Sequence, residues 1–345
     1  MRSLANLPYP DEARLKLLDY PSLAALAAVV REGGFERAAA VLGVTPSAVS
    51  QRVRALEERL GAVLVVRGQP PVPSEAGAKL CAHAERVRLL EGGLAMVLPV
   101  VDGAGERAGG RVTLRIAVNA DSLGSWFLPA AARFAERTGA LLDLVLDDEA
   151  HTADRLRSGE VLAAVTTDPA PVQGCRTTTL GALRYCATAS PEFVRRHFPH
   201  GVDAAAIVRA PMLRFDRRDR LQARWACETL GVAALDAPAH WVPSTQGFVD
   251  GALAGLGWGM NPLALVATHL AAGRLLELLP ERRIDVALHW QSARLGARLL
   301  DELTWEVAAA ARTSLVVGET ARSGADRHPV RRTRRQSDVP ATGRT

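Results

Sequence analysis

Ser47, Gln51, Arg54 and Glu58 follow one another at steps of four and three residues, with Ser50 on their flank, so a helix would carry them on one side. That set suits contact with a nucleic acid. Short hydroxyls serve phosphates and base edges, Gln pairs with adenine, and Arg with guanine or phosphate. The helix that would position them begins at Thr45-Pro46, where Thr caps free backbone N–H groups and Pro at the first helical position gives up no hydrogen bond. Val49, Val53, Leu56 and Leu60 recur on its opposite side. Ahead of it, residues 35–42 make a short Ala-rich helix, and Gly43 supplies the turn. Small Ala38, Ala39 and Ala40 let the two helices cross closely. Residues 35–61 thus predict a helix-turn-helix. An amphipathic helix pair inside an all-helical domain is the alternative.

A second group of polar residues stands at the ends of strands. Val112, Leu114, Ile116 and Val118 alternate as a strand, with a polar loop at 119–122 and a helix from about 125 to 137. A strand at 141–146, a helix at 152–158 and a strand at 162–166 follow. This β-α-β-α-β order predicts a mainly parallel sheet, whose ligand crevice lies at the carboxyl ends of the strands: 119–122, 147–149 and 166–168. Residues 183–188 begin a second α/β unit, continued by strands at 212–215 and 241–245, helices at 247–256 and 263–272, an alternating strand at 285–291 and a closing helix at 295–311. Two such halves with a cleft between them suit a small polar ligand clamped by hinge closure.

The elements between these groups divide the chain. Residues 1–19 read as a loose leader, and 20–73 as a winged helix-turn-helix domain. Pro21 opens its first helix, and 63–73 form a hairpin wing that brings Arg67 towards a phosphate backbone. A long linker helix covers 74–98. Leu80, Val87, Leu90, Leu94 and Val97 recur along it as a coiled-coil stripe that would pair two chains. Residues 99–110 have a hinge's composition, 111–315 form the two-part α/β module, and 316–345 form a disordered, Arg-rich tail. The fold class is α/β multidomain.

Composition removes several other classes. The net charge of +5 looks like a nucleic-acid signature, but residues 312–345 alone account for all of it, so the argument rests on placement. No apolar run is long enough for a membrane span. The N-terminus, with Asp11 and Glu12, lacks a signal peptide's core, which predicts a cytoplasmic protein with no membrane partner. Cys81, Cys175, Cys186 and Cys227 form no C-x-x-C, so neither zinc nor a disulfide framework is indicated. No nucleophile elbow, phosphate loop or dinucleotide fingerprint appears. The expectation is therefore no enzyme, no metal and no cofactor.

Residues 19–311 resemble the LysR-type transcriptional regulators: a first helix, then FERAAAVLGVTPSAVSQRVRALEERLG, a wing, SEAG and a long linker helix. GFERAAA, TPSAVSQR, VRGQPPVPSEAG, VNADSL followed by Trp126, and the DDE and GEV segments are similar to the arginine/lysine-responsive ArgP/LysG branch that controls amino-acid export. The resemblance implies a homodimer or homotetramer on promoter double-stranded DNA, with RNA polymerase as a further partner, and an effector module of periplasmic-binding-protein type. It assigns DNA contact to Thr45, Ser47, Ser50, Gln51, Arg54 and Arg67. It assigns the effector to Asn119, Asp121, Ser122, Trp126, Thr166, Thr167, Ser244 and Thr245.

An effector such as L-lysine or L-arginine fits that site chemically. Ser122, Ser244 and Thr245 offer hydroxyls to an α-carboxylate, and Asp121, Asp147, Asp148 and Asp216 are carboxylates for the cationic end. The FDRRDR loop, with Arg217, Arg218 and Arg220, is more basic than a cationic ligand favours. The competing readings are a regulator of this family answering another small ligand, one sensing oxidation at Cys175 and Cys186, and an amino-acid-binding protein or enzyme.

Overall fold

The computed structural model describes residues 18–66, 68–95, 112–146 and 151–317. Arg67, Val97, Asp147, Asp148, the 99–110 hinge, the leader to residue 17 and the tail from 318 lie outside the described residues, as does the side chain of Leu94.

The chain opens with α1 (Tyr20–Glu32), α2 (Phe35–Leu42) and α3 (Pro46–Leu60). Asp19 caps α1, its Oδ1 accepting from the Ser22 N–H at 2.8 Å. Gly43 closes α2 at φ 64°, a left-handed conformation that lets the chain reverse into α3. The three helices enclose Leu26, Val29, Ala38, Ala39, Val49, Val53 and Leu56. The wing is a two-residue antiparallel ladder of β1 (Val65–Val66) and β2 (Val72–Pro73). Glu57 fixes it to α3, its Oε1 accepting from the N–H groups of Leu64 (2.8 Å) and Val65 (3.2 Å).

The linker helix α4 (Glu75–Ala95) starts against the wing. A Cβ on Gly77 would lie 2.0 Å from the Leu64 carbonyl oxygen, so only glycine permits this approach. The stripe expected to pair two chains is divided in the single chain. Leu80 packs against the helix-turn-helix core, Val87 is half-buried and Leu90 is exposed. Leu89, one residue from the stripe, is the side chain buried most deeply, and it enters the core of the following module.

That module begins with β3 (Thr113–Val118) and a one-turn helix α5 (Ala120–Ser122). A π-helical turn at Leu123–Phe127 continues into α6 (Leu128–Thr138). The loop expected at 119–122 is therefore helical, because the Asn119 side chain accepts from the Ser122 N–H and starts the turn early. β4 (Leu141–Leu146), α7 (Thr152–Ser158) and β5 (Ala163–Thr166) follow, and β3 pairs in parallel with both β4 and β5, as the β-α-β pattern predicts. β6 (Cys175–Ala189) then runs fifteen residues through both halves. The expected strand at 183–188 is only its end, since the polar run Thr177–Thr179 conceals the start. α8 (Pro191–His197), α9 (Ala204–Ile207), β7 (Met212–Arg214), α10 (Leu221–Leu230) and β8 (Ala239–Trp241) come next. They are followed by α11 (Thr245–Leu253), β9 (Gly259–Pro262), α12 (Leu263–Ala271) and β10 (Leu276–Glu277). β11 (Ile284–Ala293) returns between β5 and β6, antiparallel to both, and α13 (Arg298–Ser314) closes the fold. The main sheet is thus mixed and not mainly parallel. Two long crossover strands, β6 and β11, join the halves; β11 is antiparallel to β5 and β6, and β6 is antiparallel to β9 and β10. β7 and β8 form a small parallel pair in the second half.

Trp225, Trp258, Trp290, Phe127 and Phe134 are fully buried in the module. Each such side chain contributes about 1.5–3 kcal/mol, so the framework around the cleft is firmly packed. No helix among the described residues is long and apolar enough to cross a membrane.

Candidate functional site

The outward face of α3 keeps its polar set free. Ser47, Gln51 and Arg54 are exposed, and Ser50 is half-buried in a crevice with Phe35 and Glu57. Thr45 serves the helix itself, its Oγ1 accepting from the Ala48 N–H at 3.2 Å. No acidic residue stands in the first turn of α3, so the Ser47 N–H and the helix's partial positive charge are left for an anion such as phosphate. Arg37 ties α2 to α1 by donating from Nη2 to the Gly33 carbonyl at 2.7 Å, which holds the two helices beside the reading face.

The candidate effector site, where the two halves of the module meet, is built around Asp121 on α5. Its carboxylate accepts from Tyr185 Oη at 2.6 Å and from Thr245 Oγ1 at 2.8 Å. Tyr185 stands on the crossover strand β6 and Thr245 opens α11 in the second half, so one carboxylate joins both halves. The approach is close: a Cβ on Gly124 would lie 3.2 Å from Thr245 Cγ2. Burial holds the Asp121 carboxyl above the usual carboxylate range; the two hydroxyl donors oppose this, and the negative charge of Asp219 adds to it. Among the described residues no arginine or lysine offsets that charge. A buried carboxylate with a second acid repelling it suits a cation, whose charge would offset both the burial and the repulsion.

The remaining expected residues divide into those at the cleft and those holding its walls. Asn119 caps α5, with its Oδ1 2.9 Å from the Ser122 nitrogen. Ser122 is fully buried and its Oγ accepts from Trp126 Nε1 at 3.0 Å, so this pair braces the turn from inside the core. Thr166 is buried at the end of β5, where its Oγ1 accepts from the Asp168 N–H at 3.1 Å; Thr167 beside it is half-buried. Ser244 caps α11, accepting from the Gly247 N–H at 3.1 Å. Asp216 is exposed and shapes its own loop, with Oδ1 accepting from the N–H groups of Arg218 (2.7 Å) and Asp219 (2.9 Å).

Tyr185 and Asp219 were not singled out from the sequence. Tyr185 lies in an apolar strand where a core role is the ordinary reading, and Asp219 is hidden in FDRRDR, where Asp216 is the first acidic residue. His289 gains an acidic neighbour that its spacing does not show: burial lowers its pKa while the charge of Asp168 raises it. Burial pushes the Cys186 thiol up to about 12 and raises that of Cys175, which disfavours the reactive thiolate that oxidation sensing requires.

Comparison with known proteins agrees with this two-module arrangement. Residues 21–78 match the bacterial regulatory helix-turn-helix protein model of the lysR family, and residues 107–311 match the LysR substrate binding domain. The HTH-type transcriptional regulator ArgP of Pseudomonas aeruginosa is 47% identical over 302 residues, 87% of this chain and 98% of that protein. The crystal structure of ArgP from Mycobacterium tuberculosis superposes with a TM-score of 0.71 at 42% identity, covering 88% of this chain and all of that one. Full-length LysG from Corynebacterium glutamicum with bound effector Arg gives 0.62 at 39% identity, covering 87% of this chain and all of that one. The chain belongs to the LysR family of DNA-binding transcriptional regulators and resembles its ArgP and LysG members over most of its length.

Proposed function

We propose that this regulator senses a basic amino acid, L-arginine or L-lysine, and that binding in the cleft changes how α3 engages promoter DNA upstream of an amino-acid exporter gene. The observation that carries the reading is Asp121, a desolvated carboxylate joining both halves, with Asp219 nearby and no cationic side chain offsetting its charge among the described residues. The arginine bound to the LysG relative supports it. In this reading the cationic end of the ligand donates hydrogen bonds to Asp121, and the halves close around it. Ser47, Ser50, Gln51 and Arg54 contact DNA, Thr45 holds the start of α3, and Arg67 adds a phosphate contact from the wing. The exposed Leu90 marks the α4 face that would pair two chains, with a tetramer built from such dimers.

The test is a thermal-shift series of the amino acids on the full chain, paired with salt-dependent binding to its own promoter. A ligand of the native state must raise the unfolding midpoint. Arginine or lysine should do so and alter DNA affinity, whereas glutamate, leucine and serine should not. A flat response to both basic amino acids would exclude the proposal.

A further inference from the structure

Of the hydroxyls that would naturally receive a ligand's α-carboxylate, one already donates elsewhere and one is closed off in the core. Ser122 is enclosed in the core beneath Trp126, Ser244 caps α11, and Thr245 donates to Asp121. Two guanidinium groups stand beside them. Arg214 ends β7 and Trp241 ends β8, and the two are partners in the parallel ladder. The Arg214 guanidinium lies over the Trp241 ring, 4.9 Å from its centroid, and that of Arg217 lies over the same ring at 5.1 Å. Trp241 is 44% exposed, so the stack stands at the surface. It also adjoins the cleft. Arg214 Nη2 donates to the Asp219 carbonyl at 2.6 Å, the Asp219 carboxylate repels Asp121, and Thr245 follows Trp241 by four residues.

Neither guanidinium has a carboxylate partner among the described residues. Cation–π stacking holds both planar groups by their faces, so the N–H groups at their edges, apart from the Arg214 Nη2 donation to Asp219, are left for a carboxylate. The cleft is therefore polarised, with cationic donors at the lip and the Asp121 carboxylate within.

Resting on the basic-amino-acid reading above, we infer that Arg214 and Arg217, held by Trp241, form the subsite for the effector's α-carboxylate and restrict the regulator to ligands that keep that group. The basic FDRRDR loop then becomes a selectivity device. It repels a ligand carrying only positive charge and accepts one that presents a carboxylate at the lip and a cation to Asp121.

The test is calorimetric titration of the full chain with L-arginine, L-lysine, and their decarboxylated counterparts agmatine and cadaverine. The unaltered protein should bind each amino acid at least about tenfold more tightly than its amine, the order expected for a charge-assisted carboxylate contact. Arg214→Ala/Arg217→Ala should reduce that preference to about twofold or less by weakening the amino acids without weakening the amines. Arg217→Glu alone leaves the Arg214–Asp219 contact in place and should invert part of the preference, which guards against a loop that fails to form in the double variant. Equal affinity for arginine and agmatine in the unaltered chain, or a preference that survives both variants, would overturn the subsite. Failure of every basic ligand to bind would instead overturn the effector reading beneath it.

Discussion

Replacing Asp121 by Asn separates its charge from its shape. The amide oxygen can still accept from Tyr185 or Thr245, and its NH2 can donate to the other hydroxyl, so the turn at α5 should hold. What is lost is the negative charge offered to a cation. A charge-assisted hydrogen bond contributes about 1.5–3 kcal/mol, which corresponds to about 10- to 150-fold in Kd. The lower part of that range is favoured because Asp219 keeps its charge. The unliganded variant should be no less stable at neutral pH. The folded pKa of Asp121 is raised, so the native state gains relative stability as pH falls through that value and loses it as the carboxyl ionises. Asn removes this penalty. The same shift gives the ligand a pH dependence: a cation needs the ionised form, so arginine affinity should weaken as pH falls through the raised pKa, by up to about tenfold per unit. The slope should be absent in Asp121→Asn. Titration calorimetry over a descending pH series measures both effects. An arginine Kd within about twofold of the unaltered protein, or an unchanged pH slope in the variant, would refute the role of Asp121.

Three further outcomes follow from other contacts. Gly77→Ala gains about 1 kcal/mol of helix propensity, but forcing its Cβ away from the Leu64 carbonyl costs about 1–3 kcal/mol. Denaturant unfolding should show net destabilisation, and promoter binding should weaken because the wing moves with Leu64. Gln51→Ala should cost about 1–3 kcal/mol on the cognate site and leave non-specific DNA nearly unaffected, while loss of an Arg54 phosphate contact would lower the salt slope by about one. Burial opposes ionisation of Glu306, yet hydrogen bonds from Arg133 (2.9 Å) and Arg137 (2.7 Å) hold its pKa below the usual range. Because this folded pKa is depressed, the stabilisation is present above the unfolded value of 4.5 and lost as pH falls through the folded one. Glu306→Gln should therefore destabilise at neutral pH by about 1 kcal/mol, a figure discounted for two half-exposed arginines, and match the unaltered chain in acid.

The helix-turn-helix was legible because its signals are local: Thr45-Pro46 starts α3, and Gly43 and Gly61 end α2 and α3 in the left-handed region. The cleft was legible by halves. Asp121 follows a clean alternating strand, and the resemblance supplied Thr245. Tyr185 was missed because its partner lies 64 residues away, and a buried Tyr on a strand gives no sign of which carboxylate its hydroxyl will meet. Leu89 was missed for a geometric reason. A heptad stripe chosen through Leu90 is one residue, about 100° of helix rotation, away from the side that enters the effector module.

Glycine at position 77 and leucine at position 89 grip one helix at two places, the first against the wing and the second inside the effector module. Twelve residues of α-helix separate them, about 18 Å of rod whose backbone has no soft joint to absorb a twist. A tether would let each module turn independently. A shaft seated at both ends instead makes the angle of the DNA reader a readout of strain in the effector module's core.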